Sequence, residues 1–449
     1  MDAGMNENLG GIVESGVFEL LKKRFGRDCV YKSPKFADSG GEKEICDVLI
    51  LALPYAIAFQ VKWMQLTSDD LEGDKAEVKK ERLMRRMRNA ADQFAEICST
   101  IEHAVNVELP MVWSSRPSDT FTLPMAKIEK VIPVVIVDFD DKNYCNPDRR
   151  YCDIPPVISD AGERVQRYGK VHSFLKKDFE RIVAQLFTVG DLMLWLSERE
   201  KIFNSRPKTF VNYNELSMFS IYLAKYNLFR KIADVDGMFL EDVDLFERLL
   251  SEKSAEFERR RRVYGSPCVL DILELRMANV VSRNADASLV VDYLEYIGRL
   301  RRLSCLERRT ICDRLTKNLD SFASAVGQGS VRGSFYIGDH GTTSSTAFYF
   351  GVCDFTAEDA NQWCEFGFVR AISFAASKQL SDRVKEVMVL FVRRDRPDCC
   401  CRLVPVQPGD WSNVLSEKEL SDSQISASSG QSSTTEWEYA DEICRRYRK

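Results

Sequence analysis

The sequence predicts an α/β fold: a mixed sheet flanked by helices in the N-terminal part, then a helical region, then a small C-terminal α/β unit. Three observations predict it. Residues 45–63, ICDVLILALPYAIAFQVKW, read as two short apolar strands joined by a turn at Pro54, and KVIPVVIVDF at 130–139 is a third run of the same kind. Segments of helical period surround these runs, and nearly everything from about 210 to 325 is helix-like. Strand-type runs return only after about residue 331.

Taken in order, a helix over about 9–25 precedes strands near 28–32, 44–51 and 55–63. A charged helix over 73–88 and the segment AADQFAEICSTI follow, to about 102. After the run at 130–139, KVHSFLKKDFERIVAQLF and TVGDLMLWLSEREKIF supply a strand entry and two helices that close the first domain near 205. In the helical region, Ser304 followed three residues later by Glu307 has the capping-box pattern of a helix start. GSFYIGD, STAFYFGVCDF and KEVMVLFVRR then read as strands around the helix TAEDANQWCEFGFVRAISFAAS. Residues 413–436 are Ser-rich and poor in apolar residues, as in a linker. The resulting division is 1–205, 206–325, 326–412 and a tail at 413–449; with 449 residues, 45% of them hydrophobic, the chain exceeds what one core fills.

Composition narrows the function classes. The longest apolar region is broken by Asp47, Pro54, Gln60 and Lys62, which argues against a membrane span, and MDAGMNENLGG lacks the basic and apolar parts of a secretory signal. A cytoplasmic location is expected, with the 14 cysteines reduced. Neither Cys145 with Cys152 nor the run Cys399, Cys400 and Cys401 has zinc-site spacing, and only three histidines, His103, His172 and His340, are present to complete a set. The net charge of −5 leaves nucleic-acid binding to local patches. One is residues 73–88, with seven basic against three acidic side chains, including Lys79, Lys80, Arg85 and Arg86; another is ERRRR at 258–262. Either run is also compatible with a solvated helix face.

The informative feature is polar residues inside apolar strands. Alternation along 56–63 puts Ile57, Phe59 and Val61 on one face and Ala58, Gln60 and Lys62 on the other. Asp47 interrupts the preceding strand, so neighbouring strand ends can gather Asp47, Gln60 and Lys62. A buried charge left without its partner costs about 3–5 kcal/mol, so such a cluster requires mutual pairing or a metal. In the first helix, Glu14 has Val17, Phe18 and Leu21 at i+3, i+4 and i+7 and borders the apolar face, whereas Glu19 has Lys22 and Lys23 at those offsets and faces water.

The order Glu14, Asp47, Gln60-Val61-Lys62 resembles the PD-(D/E)XK nuclease superfamily, in its Gln-x-Lys branch found among some restriction enzymes. The resemblance covers about residues 5–200, with Cys46 standing where the literal motif has proline. Glu77-Val78-Lys79 also satisfies the bare pattern, but in a helical context. The resemblance implies a restriction-endonuclease-like fold and a Mg²⁺ or Mn²⁺ ion held by Asp47, Gln60, the carbonyl of Val61 and Glu14, with Lys62 at the attacking water or the scissile phosphate. It further implies hydrolysis of DNA, leaving a 5′-phosphate, in restriction or host defence, with RNA as another possible substrate. The basic helix would then hold backbone phosphates through Lys79, Lys80, Arg85 and Arg86, and Gln93, in line with Arg86 and Ala90, would be an accessory site residue. Residues 206–449 would supply recognition, regulation or assembly, through a second copy or a protein partner. The competing expectation is a non-catalytic nucleic-acid-binding or scaffold protein on a decayed nuclease fold.

Overall fold

In a computed structural model of the chain, the described residues are 3–38, 41–64, 76–111, 119–139, 157–158, 162–204, 209–211, 214–224, 237–239, 244–284, 287–323, 332–337, 345–353, 360–377, 380, 382–393 and 399–407. The fold is mixed α/β and divides into two compact units, Met1–Val263 with Ala285–Leu294, and Tyr264–Asn284 with the chain from Glu295 on.

The first unit opens with α1 (Ala3–Phe25), β1 (Val30–Lys32), β2 (Lys35–Asp38), β3 (Gly41–Glu44), β4 (Val48–Ala52) and β5 (Tyr55–Met64). It continues with α2 (Ala76–Gln93), α3 (Ala95–Glu102), β6 (Asn106–Pro110), β7 (Thr120–Pro124), β8 (Lys130–Phe139), β9 (Val157–Ile158), α4 (Glu163–Gln166), β10 (Val171–Leu175), α5 (Lys176–Val183) and α6 (Val189–Asn204). Six strands form one sheet in the order β1-β4-β5-β8-β10-β9. β5, β8 and β10 run parallel, and the other neighbours are antiparallel. Every residue of β4 is buried, as expected of a strand covered on both faces, which is why it reads as a continuous apolar run. Pro133 is tolerated in β8 because β10 joins only from Val134 on. α1 buries Val13, Val17 and Leu21 and packs on β1, β4 and β5; α5 packs on β8 and β10, with Phe179 edge-on to Phe59 at 5.7 Å between ring centroids.

A second, antiparallel sheet has the order β3-β2-β6-β7. It corrects the single strand expected at 44–51. The chain leaves one sheet after Glu44, turns through Ile45, Cys46 and Asp47, and enters the other at Val48. Its partner makes the same change through Ser33 and Pro34. Between the pairs Lys35↔Glu44 and Lys32↔Val48, two residues on one strand therefore face three on the other. This is a β-bulge, which bends the ribbon and re-aims its side chains.

The boundary expected at 205 differs from the packing. Trp195 of α6 meets Phe219 and Tyr222 of α7 (Glu215–Ala224) with ring centroids 5.1 and 4.9 Å apart. Arg199, fully buried, donates through Nε and Nη2 to Glu215 at 2.9 and 2.8 Å, and through Nη2 to the Ser173 carbonyl at 3.1 Å. Its Nη1 lies 3.0 Å from Nδ1 of His172; a guanidinium only donates, so Nδ1 accepts and the imidazole proton is on Nε2. Burial, then the charges of Arg199 and Lys130, hold the His172 pKa well below its ordinary value, so the ring is neutral. The span expected to be nearly all helical also contains two short parallel strands, β11 (Thr209–Val211) and β12 (Gly237–Phe239), before helices Leu245–Glu252 and Ser254–Tyr264.

The second unit holds a sheet in the order β13-β14-β15-β16, formed by Arg332–Ile337, Thr346–Val352, Glu386–Val392 and Cys399–Pro405. The helix Ala360–Ser377 packs on it so closely that a Cβ on Gly367 would meet Val389 Cγ1 at 2.6 Å. The helix Cys305–Ala323 starts with a reciprocal capping box: Ser304 N–H donates to Glu307 at 2.8 Å, and Glu307 N–H donates to Ser304 Oγ at 3.3 Å. Glu386 is held by Arg299 at 2.9 Å and Thr346 at 2.6 Å; burial would raise its pKa, but the hydrogen bonds from Arg299 and Thr346 and the charges of Arg299 and Arg302 together outweigh burial and lower it. The helical segment expected as a separate domain at 206–325 is thus divided between the two units. The Ser-rich segment 413–436, Cys145 and Cys152 lie outside the described residues, and Cys399, Cys400 and Cys401 are part of β16. Among the described residues no helix is long and apolar enough to cross a membrane.

A fragment ending at 205 would keep Arg199 buried but lose Glu215, at a cost of about 3–5 kcal/mol. Fragment 1–205 is therefore expected to lack a cooperative thermal transition that fragment 1–294 retains, which circular dichroism melts of the two will check.

Candidate functional site

The bulge residues lie where β4 and β5 approach α1. Asp47 N–H donates to the Phe59 carbonyl at 3.0 Å, and Asp47 Oδ2 accepts from Val61 N–H at 2.5 Å, so main chain on both sides of Gln60 fixes the aspartate. Lys62 Nζ lies 3.7 Å from Asp47 Oδ2 and donates to Gln60 Oε1 at 3.0 Å. Gln60 is buried, with 4% of its surface exposed, while the Asp47 and Lys62 side chains keep 15% and 28%, so the cluster opens towards solvent on the acid and amine side. Asp47, Gln60 and Lys62 are thus brought together, and the polar groups inside the apolar strands pair with one another.

Glu14 joins through an intermediary. Its Oε1 accepts from Ser33 Oγ at 3.1 Å and lies 3.8 Å from Lys32 Nζ. Ser33 N–H in turn donates to the Asp47 carbonyl at 2.9 Å. Glu44 is a further acid in hydrogen-bond reach of Ser33 and Asp47. Although Glu44 as a residue is exposed, partial burial of its carboxyl, then the negative charges of Asp47 and Glu14, raise its pKa, and the Ser33 hydroxyl opposes the shift. Cys46 is buried beside them; burial first, then Asp47, pushes its thiol well above the ordinary range.

Sequence reasoning missed Glu44 and Ser33. Glu44 and Asp47 are three residues apart, which in a regular strand places them on opposite faces; the extra residue of the bulge cancels that alternation. EKE immediately before ICD was the available signal, but only a break in the strand gives it meaning.

The basic helix α2 buries Leu83, Met87, Ala90 and Ala91 and leaves Arg85 and Arg86 exposed, along with Arg82 and Arg88. Lys79 and Lys80 belong to α2, but their side chains lie outside the described residues. Gln93 ends the helix exposed and, among the described contacts, makes no hydrogen bond to Asp47, Gln60 or Lys62, while Ala90, expected on the same line, is buried. Beyond Lys62, the register aligns Val137 of β8 with Leu175 of β10; one step further, Asp138 and Lys176 form an ion pair at 3.0 Å.

The donors at the site are oxygens of Asp47, Gln60, Glu14 and Glu44, hard ligands of the kind that suit Mg²⁺ or Mn²⁺. Among the described residues, no three His, Cys, Asp or Glu side chains are grouped as a metal site, so a cation here would need the amide of Gln60 and main-chain carbonyl oxygen as well as carboxylates. The donor set fits such an ion: Gln60 Oε1 and Asp47 Oδ2 already bracket one positive charge, the Lys62 ammonium. Comparison with known protein families, curated proteins and solved structures gives no match to this chain.

The raised Glu44 pKa has a stability consequence. The folded protein holds this proton more tightly than the unfolded chain, so the contribution is complete below the ordinary glutamate pKa and is lost as pH rises through the raised value. Glu44→Gln is expected to flatten this part of the metal-free stability profile, and Mn²⁺ to narrow the gap between parent and variant. Thermal melts across pH 4 to 8 will check both.

Proposed function

We propose that the chain is a metal-dependent nuclease that hydrolyses phosphodiester bonds, with DNA as substrate, and that the first unit has a restriction-endonuclease-like arrangement. The observation that carries this is the convergence of Asp47, Gln60 and Lys62 at adjoining strands, within one serine of Glu14. The antiparallel β4–β5 pair followed by parallel β8 and β10, with α1 packed over the pair, supports the arrangement. When bound, a divalent cation supplies charge for the phosphate and lowers the pKa of water. Asp47 and Gln60 would hold it through oxygen, with the Val61 carbonyl as a main-chain donor and Glu14 bound directly or through water. Lys62, a compact charge with three donors, would position the attacking water or the scissile phosphate. Exposed Arg85 and Arg86 would contact backbone phosphates, which carry little base information, with Lys79 and Lys80 earlier on the same helix. A 5′-phosphate product, a role in restriction or host defence inside the cell, and assembly or regulation through residues 206–449 are what the resemblance to PD-(D/E)XK nucleases adds.

One observation favours the scaffold reading. Gln60 Oε1 and Asp47 Oδ2 are each satisfied by a protein donor, so the cluster closes on itself. Metal binding by the parent separates the two readings.

Asp47→Ala is expected to abolish metal-dependent cleavage with the fold kept, and Gln60→Leu to do the same. Gln60→Glu retains an oxygen ligand and should keep measurable activity, while Lys62→Ala should lose turnover more than DNA binding. The four variants, assayed over a Mg²⁺ series on plasmid, single-stranded DNA and RNA, check these roles; full activity in Asp47→Ala would remove the site assignment.

Reversing Arg85 and Arg86 to glutamate is expected to weaken binding across sequences and lower the slope of log K against log salt by about one per arginine. Titrations from 50 to 200 mM salt will show whether the helix contacts nucleic acid or is only a solvated face.

A further inference from the structure

We infer that Ser33 is the positioning residue of the site: its hydroxyl and main chain together set where the Glu14 and Asp47 carboxylates stand relative to one another. The inference rests on the metal-site reading above and assigns a role that no motif carries. Ser33 has φ of 44°, a left-handed conformation that L-residues other than asparagine and aspartate rarely hold and that glycine adopts freely. A residue needed only to turn the chain would be glycine there. Ser33 makes two kinds of bond. Its amide donates to the Asp47 carbonyl at 2.9 Å, a bond that any residue except proline can make. Its hydroxyl donates to Glu14 Oε1 at 3.1 Å, a bond that neither glycine nor alanine can make.

The position explains the economy. Ser33 lies on the short side of the bulge, with two residues opposite three, and the adjoining Pro34 carbonyl accepts from Ile45 N–H at 2.9 Å. The corner of the ribbon is therefore pinned on both sides of Ser33, and α1 is tied to that corner by the hydroxyl. Lys32 reinforces the tie, donating to Ser15 Oγ at 2.8 Å and lying 3.8 Å from Glu14. Three separately formed elements, α1, the β1–β2 corner and the β3–β4 bulge, are referred to one residue, α1 through its hydroxyl and the bulge through its amide. Groups that orient ligands rather than touching the metal commonly change affinity by about 10- to 100-fold when removed.

The test compares the full-length parent with Ser33→Gly, Ser33→Ala and Glu14→Gln, together with the Ser33→Gly/Glu14→Gln double variant. Glycine removes the hydroxyl and relieves the backbone, whereas alanine removes the hydroxyl and keeps the strain. Ser33→Gly is expected to melt at or above the parent temperature yet bind Mn²⁺ about tenfold more weakly by calorimetry, with cleavage restored at high metal. Ser33→Ala should show the same weakened binding with a lower melting temperature. In the Glu14→Gln background, Ser33→Gly should add little further loss, because the hydroxyl acts on metal binding through the Glu14 carboxylate, which that background already lacks. Parent-like Mn²⁺ affinity in Ser33→Gly, or full additivity in the double variant, overturns the positioning role while the metal site stands. A parent that takes up no Mn²⁺ overturns the metal reading itself, and the inference with it.

Discussion

Two strands that serve two sheets have to bend where they pass from one to the other, and here the bend is made by an unequal count of residues, two facing three. The candidate site is a consequence of that inequality. Were Ile45–Asp47 part of a regular strand rather than a bulge, alternation would send Glu44 and Asp47 to opposite faces, and the acids would not meet. With it, Asp47 turns out of the ladder far enough to accept from Val61 N–H while its own amide remains bonded to Phe59. The bend is stable because its main-chain groups are paired across the ribbon, Ser33 with Asp47 and Ile45 with Pro34. α1 then has a fixed corner to lie against, and its Glu14 reaches the cluster from a different layer of the fold.

The remainder of the first unit keeps that corner rigid. β5 is interior to the six-stranded sheet, paired on both sides, and its polar pair Gln60 and Lys62 is flanked by the buried apolar runs Val48–Ala52 of β4 and Val131–Val137 of β8. On the far side of the sheet order, Arg199 organises β10, α6 and α7 through one guanidinium that donates to a carboxylate, a carbonyl and a neutral imidazole and lies over the Phe174 ring at 4.4 Å. A planar group with five donors can satisfy so many partners at once, which a lysine in its place could not. A buried ion pair is weak evidence for added stability, but it specifies one partner, and the partner lies beyond the point where the sequence suggested a boundary.

Much of the scaffold was legible because burial and period coincide. The run at 130–139 is β8 itself, the strands around Pro54 are β4 and β5, and Ser304 with Glu307 forms the capping box their spacing predicts. Asp47, Gln60 and Lys62 could be singled out because a polar group in an apolar strand has to be paired. What was not legible depends on events between segments. The bulge adds one residue without any residue type that marks it, so nothing in the sequence put Glu44 beside Asp47, and Ser33 had no signal. The Cys399–Pro405 strand is polar at its flanks, and its pairing with β15 is what makes it a strand. The limit near 205 failed because a drop in apolar content marks a loop, not the end of a core, and Trp195 and Arg199 face residues after that loop.

The division of the chain has a consequence for how such a molecule can change. The path passes from the first unit to the second after Val263, returns at Ala285, and leaves again after Leu294. No single crossover between two related genes can therefore transfer either unit whole; each exchange point between 263 and 295 carries a piece of the other.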